Sequence, residues 1–135
     1  MRILAMDTAT SACSVALKVG GDIVERRFEQ MARGQAEALV PMIDDVLTCA
    51  EVRAEELDLI AVSQGPGAFT GIRIGLAAAR GLSLAADVPC LGLTTTEAIA
   101  HGVPAIKAGA LIVALDSKRA DIFIQVFDPD LAPLM

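Results

Sequence analysis

The 135 residues contain no tryptophan and no tyrosine, and four phenylalanines make up the whole aromatic complement. Proteins that grip single-stranded nucleic acid stack bases on aromatic rings, so a platform of that kind is excluded. A single histidine, His101, leaves no pair of imidazoles for a two-histidine metal site and one residue for any Ser-His-Asp or Cys-His relay. Basic residues are the minority charge: 11 Lys and Arg against 17 Asp and Glu give a formal net charge of −6. A broad phosphate-binding surface needs the opposite balance, so nucleic acid would have to be held by a partner. The three cysteines, Cys13, Cys49 and Cys90, are odd in number and widely spaced, with no C-x-x-C pair. They suit a reducing cytoplasm, and no stoichiometric metal is expected. Long apolar runs are missing as well. Ile3 to Met6 stops at Asp7, too short for a signal-peptide core. The greasiest stretch, Ile72 to Ala86, is broken by Arg80 and falls short of the roughly 20 residues that cross a bilayer, so no membrane span is expected.

What is present is an aliphatic chain, 54% hydrophobic and 21% charged, of about one domain's length. Ile3 to Asp7 and Cys13 to Val19 read as strands. Gly20-Gly21 marks a hairpin turn, and Asp22 to Glu29 alternates like an antiparallel strand with one wet face. Ala36, Leu39, Val40, Ile43, Leu47 and Ala50 recur at helical spacing, with Pro41 predicting a kink or a helix proper that begins near it. Leu59 to Ser63 is a continuous apolar run, as in a strand covered on both faces, and a glycine-rich loop and a helix follow it. Pro89 to Leu93 predicts another buried strand. Thr94-Thr95-Thr96-Glu97 has capping-box spacing for a short helix that ends at Gly102 and Pro104. The order βββαβαβα predicts a mixed α/β sheet with helices on its faces. Ala110 to Leu115 and Ile122 to Phe127 form a further strand pair that echoes the N-terminus, each first strand ending in an acid, Asp7 or Asp116. Residues 1–105 are thus expected to form a first lobe and residues 106–135 the opening of a second lobe that is cut off.

The segment Gln64-Gly65-Pro66-Gly67-Ala68-Phe69-Thr70-Gly71-Ile72-Arg73-Ile74-Gly75 lies between a buried strand and a helix, where backbone amides can cradle an anion. A dinucleotide fingerprint needs glycine where Thr70 stands, and a P-loop needs a Gly-Lys-Ser or Gly-Lys-Thr that is absent. A tight packing turn and a phosphate contact both remain open. Gly71, Gly75, Ala79 and Ser83 make a small-residue stripe, suited either to this lobe's own sheet or to a partner helix. Between Leu59 and Ala86 there is no carboxylate, while Arg73 and Arg80 share a helix face, so the strip is locally positive and fits an acidic partner or a nucleotide. His101, in the last turn of its helix, fits a capping role. Asp7 and Asp116 stand at strand ends, where α/β folds place metal or phosphate chemistry and where an aspartate also caps turns.

Ile3-Leu4-Ala5-Met6-Asp7-Thr8-Ala9-Thr10 with Cys13-Ser14-Val15-Ala16-Leu17, and the run Gln64 to Gly75, resemble the TsaB (YeaZ) family. The Pro-containing helix of Gln35 to Leu47 and the run Ala114-Leu115-Asp116-Ser117-Lys118-Arg119 are similar to that family too, so the resemblance covers essentially the whole chain. It implies a ribonuclease-H-like lobe of the actin, hexokinase and sugar-kinase superfamily, and roughly 90 further residues completing a second lobe. It implies a cytoplasmic, non-catalytic subunit that supports a TsaD-type transferase, together with a TsaE-type ATPase, in making N6-threonylcarbamoyladenosine beside the anticodon of tRNA. It also implies a homodimer when that partner is absent, with tRNA met only indirectly. TsaD-type proteins hold a metal through two histidines on the first long helix, and the matching region, Ala32 to Val40, holds none. The interface is expected on the two helices of the first lobe, at Gly71, Ile72, Arg73, Gly75, Leu76, Ala79 and Arg80 with Leu39 and Ile43. No tightly bound cofactor is expected, though ATP or ADP at or near a partner interface would meet the loop residues Asp7, Thr8, Gly65, Gly67 and Thr70. An ATP-dependent phosphotransferase is the alternative from another class, since Asp7-Thr8 resembles the superfamily's first phosphate loop; a glycoprotease-like metallopeptidase is a third.

Overall fold

The computed structural model describes residues 1–135. Three strands, β1 (Arg2–Asp7), β2 (Ala12–Val19) and β3 (Asp22–Gln30), form an antiparallel meander. The helix α1 (Gln35–Cys49) leads through a short 3₁₀ turn to β4 (Leu59–Ser63). Then come α2 (Phe69–Ala86), β5 (Cys90–Leu93) and α3 (Thr95–His101). The five strands make one sheet in the order β3-β2-β1-β4-β5, with β4 parallel to both β1 and β5. A separate antiparallel pair, β6 (Leu111–Asp116) and β7 (Ile122–Phe127), follows. The predicted order of elements is therefore observed, and the fold is the mixed α/β arrangement expected, but β5, expected as a buried strand, is exposed at Cys90, Leu91 and Leu93 because it is the edge of the sheet.

Side-chain alternation decides which face of the sheet is dry. Leu4 and Met6 of β1, Cys13, Val15 and Leu17 of β2, and Ile60 and Val62 of β4 point to one side, where they meet Leu39, Ile43, Val46 and Leu47 of α1 and Ala79 and Ala86 of α2 in one continuous core. The second strand pair packs Val113 and Phe127 on Ala100 of α3 as a small core of its own. β3 is the outer strand, and its link to the helical layer is ionic. Arg27 pairs with Glu25 on its own strand and with Asp45 of α1, each at 2.7 Å.

Two readings of α1 need correction. The helix does not begin near Pro41; it starts at Gln35 and runs through it. The proline ring sits on the exposed side, where the unpaired carbonyl one turn earlier is left to water rather than buried. Val40, placed in the apolar stripe from spacing alone, is 60% exposed, because the buried arc runs through Leu39, Ile43, Val46 and Leu47.

Candidate functional site

The two strand-end acids perform the same local task. Asp7 Oδ1 accepts from the amide of Ala9 at 2.8 Å, and Asp116 Oδ1 accepts from the amide of Lys118 at 2.7 Å. Each closes an Asx turn after its strand, so the echo between the two strand pairs extends to the turn chemistry. Asp7 has a second role: Ser63 Oγ donates to the same oxygen at 2.6 Å and ties the ends of β1 and β4 together. Nothing in the composition marked Ser63; the signal was its place at the end of a strand parallel to β1. The two turns meet where Lys118 Nζ donates to Ser11 Oγ at 3.1 Å. Beside that contact lies a cleft of about 340 Å³ bounded by the first turn, the start of α1, the α2 loop and the second turn.

The α2 loop folds onto the first turn. Thr8, 1% exposed, donates through Oγ1 to the carbonyl of Gly71 at 2.5 Å, and the amide of Ala68 donates to the carbonyl of Ala9 at 2.8 Å. A Cβ on Gly67 would collide with the Ala9 carbonyl and one on Gly71 with the Thr8 carbonyl; one on Gly75 would stand 2.7 Å from Thr8 Oγ1 and 3.4 Å from a Val62 methyl. Gly67 and Gly71 are present because two backbones approach too closely for any side chain, and at Gly75 the Thr8 hydroxyl takes the space. Of the five residues expected to face a nucleotide, the fold gathers Asp7, Thr8, Gly65 and Gly67 around this joint. Thr70 is exposed on the first turn of α2. Gly65 has φ near 110°, a conformation that favours glycine, and its carbonyl accepts from the amide of Thr95 at 2.9 Å.

The small-residue stripe is a correction. Gly71, Gly75 and Ala79 are buried against the lobe's own β1 turn and β4, and Leu39 and Ile43 lie within the main core, so none of these five is available to a partner. Ile72 and Leu76 are half-buried, and Arg73 and Arg80 are exposed. The outward faces carry other residues: Val40 of α1 is 60% exposed, Phe69 71% and Leu84 84%. The Arg73 guanidinium lies over the Phe69 ring, 4.7 Å from its centroid, which holds an apolar ring in place at the surface. The exposed side of α1 is acidic, with Glu37, Asp44 and Asp45, whereas that of α2 carries Arg73 and Arg80. These outward residues were legible in principle: once the glycines are taken as the inward side, helical phase turns Ala77 and Leu84 outward.

Elsewhere the titratable groups serve structure. Burial, followed by the charges of Glu29 and Asp7, raises the pKa of the Cys13 thiol, whereas Cys49 and Cys90 are exposed. Hydrogen bonds from Thr94 hold the Glu97 carboxyl below its ordinary range. His101 is exposed in the last turn of α3, as a helix-end residue should be. No three His, Cys, Asp or Glu side chains stand close enough together to hold a metal ion. No helix is long and apolar enough to cross a membrane.

Residues 27–128 match the family model described as TsaD, tRNA N6-adenosine threonylcarbamoyltransferase. The tRNA threonylcarbamoyladenosine biosynthesis protein TsaB of Escherichia coli is 39% identical over 132 residues, which are 96% of this chain and 56% of that protein. The solved structure of YeaZ from Pseudomonas aeruginosa superposes with a TM-score of 0.87 at 31% identity, covering 99% of this chain and 64% of that one. A ROK hexokinase from Thermus thermophilus, at 17% identity and a TM-score of 0.59, covers 94% of this chain and 47% of its own, and shares the fold alone. The chain spans about half the length of the curated relatives it matches, 56% in the Escherichia coli case. By sequence over most of its length and by fold, the chain belongs to the TsaD family and, within it, to the TsaB (YeaZ) group.

Proposed function

We propose that this chain carries the first lobe, and the opening strands of the second, of a non-catalytic, cytoplasmic subunit that supports a TsaD-type transferase, with a TsaE-type ATPase, in the threonylcarbamoylation of tRNA adenosine. The observation that carries this reading is the joint between the β1 turn and α2. Where a phosphotransferase of this fold would present a phosphate loop, this chain turns the carbonyl oxygens of Thr8 and Ala9 onto Gly71 and Gly67. Carbonyl oxygens repel a phosphate. With Asp7 occupied by Ser63 and Ala9, the lobe offers a surface more readily than a reaction centre. That surface is the outward side of α1 and α2, where Val40, Phe69 and Leu84 supply apolar contact and Arg73 and Arg80 supply steering. Because α1 is acidic on its exposed side and α2 basic, a second copy is a self-complementary substitute when the transferase is absent. A nucleotide near this interface would be held chiefly by the partner.

The test is association with a purified TsaD-type transferase. Val40→Asp combined with Ala77→Asp places charge on exposed positions and should weaken association by on the order of tenfold or more while the fold persists. Undiminished association, or nucleotide turnover by the chain alone, would remove the scaffold reading.

A further inference from the structure

β5 is the outermost strand of the sheet on the side away from the meander, and β4 is its single neighbour. The carbonyls of Pro89 and Leu93 accept from the amides of Ile60 and Gln64 at 2.9 and 2.8 Å. Alternate residues of a parallel ladder turn their amide and carbonyl to opposite sides, so Cys90 and Gly92 turn theirs outward, where no strand receives them. Folded proteins usually blunt such an edge with charge, a bulge or a covering element. This strand, Cys-Leu-Gly-Leu, carries no charge. Beside it the flank of α2 forms a recess of about 410 Å³, bounded by Leu76, Arg80 and Leu84 on the helix and by Cys90 and Gly92 on the strand. Leu84 is 84% exposed. Arg80 makes no ion pair, and no carboxylate occurs from Leu59 to Ala86 to offset it.

A free backbone edge, an apolar wall and an uncompensated cation thus lie together. We propose that this edge takes an extended, acidic segment of a partner protein as a sixth strand. Its backbone pairs with Cys90 and Gly92, one carboxylate meets Arg80, and an apolar side chain lies against Leu76 and Leu84. A nucleic-acid strand fits less well, because a phosphodiester backbone needs a row of cations and the recess holds one. Arg80 and Leu84 also border the outward face of α2, so the two surfaces adjoin, but this inference rests on the geometry of the β5 edge and not on the identity of any transferase.

The probe is the acetylated, amidated heptapeptide Thr-Val-Thr-Glu-Thr-Val-Thr, whose alternate valine, glutamate and valine share the one face that meets Leu76, Arg80 and Leu84, titrated into the ¹⁵N-labelled 135-residue chain. The Cys90 and Gly92 amide resonances should shift saturably and gain protection from hydrogen exchange. The same peptide with lysine for glutamate should bind at least tenfold more weakly, and Arg80→Glu should reverse the preference between the two peptides. Arg80 is exposed, so the variant's fold is checked directly by the dispersion of its spectrum. Val40→Asp with Ala77→Asp, which tests the helix-face proposal, should leave peptide binding unchanged. No saturable shift, shifts confined to residues away from β5, equal binding of both peptides, or displacement of the acidic peptide by a short single-stranded RNA would each overturn the proposal.

Discussion

Glycine does opposite things within α2. At Gly71 the absent Cβ is what lets the Thr8 carbonyl reach the helix, whereas Gly81 has nothing within 4 Å of where its Cβ would be. Gly71→Ala should therefore destabilise the chain by about 2 to 3 kcal/mol, because the clash is with backbone that cannot swing aside. Gly81→Ala should stabilise it by up to about 1 kcal/mol through helix propensity alone. Denaturant melts of the pair test this; equal effects would mean that the joint is soft. The thiols separate in the same manner. Cys13 is buried with a raised pKa, so in the native state a thiol reagent should modify Cys49 and Cys90 and reach Cys13 only on unfolding. Mass spectrometry of the labelled chain reads this directly, and rapid native labelling of Cys13 would contradict the packing of β2.

At the scale of elements, α3 shows how local chemistry sets a boundary. Its seven residues are too few to stand alone, and the start is fixed by a reciprocal cap. The Glu97 amide donates to Thr94 Oγ1 at 3.1 Å, while Glu97 Oε2 accepts from the Thr94 amide at 3.1 Å and from its hydroxyl at 2.8 Å. Thr94→Val should cost about 1 kcal/mol. These bonds depress the pKa of the Glu97 carboxyl, so their contribution is complete above the ordinary carboxylate range and fades as pH falls through the lowered value. Thermal melts of the parent and variant should therefore draw closer in acid, the remaining gap being the bond from the Glu97 amide to the hydroxyl; a gap that does not narrow would remove the carboxylate's share. This cap was readable from four letters, because both partners lie within one turn. The phase of α1 was less so. Spacing admitted both Val40 and Leu39 to the apolar face, and only the position of the sheet separates a residue 60% exposed from one fully buried.

At the scale of the whole molecule, the fold was legible and the site only half so. Alternation and helical period depend on neighbours in sequence, which is why every strand and helix of the main sheet was foreseen to within a few residues. What the loop from Gln64 to Gly75 faces depends on Thr8 and Ala9, far away in the chain. Its glycines therefore read equally well as a phosphate cradle, a partner stripe or a packing joint until the β1 turn was in place. The sheet order has a kinetic consequence. β1 meets β2 through a short turn, but its other edge waits for Leu59 to come alongside Ile3, after α1 has crossed over. The meander is inexpensive to close in chain entropy, and the parallel half is not. The Thr8 to Gly71 bond is among the contacts that only that later closure can form. Damage to it should leave the rate of refolding almost untouched and appear as faster unfolding, so this joint governs how long the lobe lasts once made more than how quickly it is made.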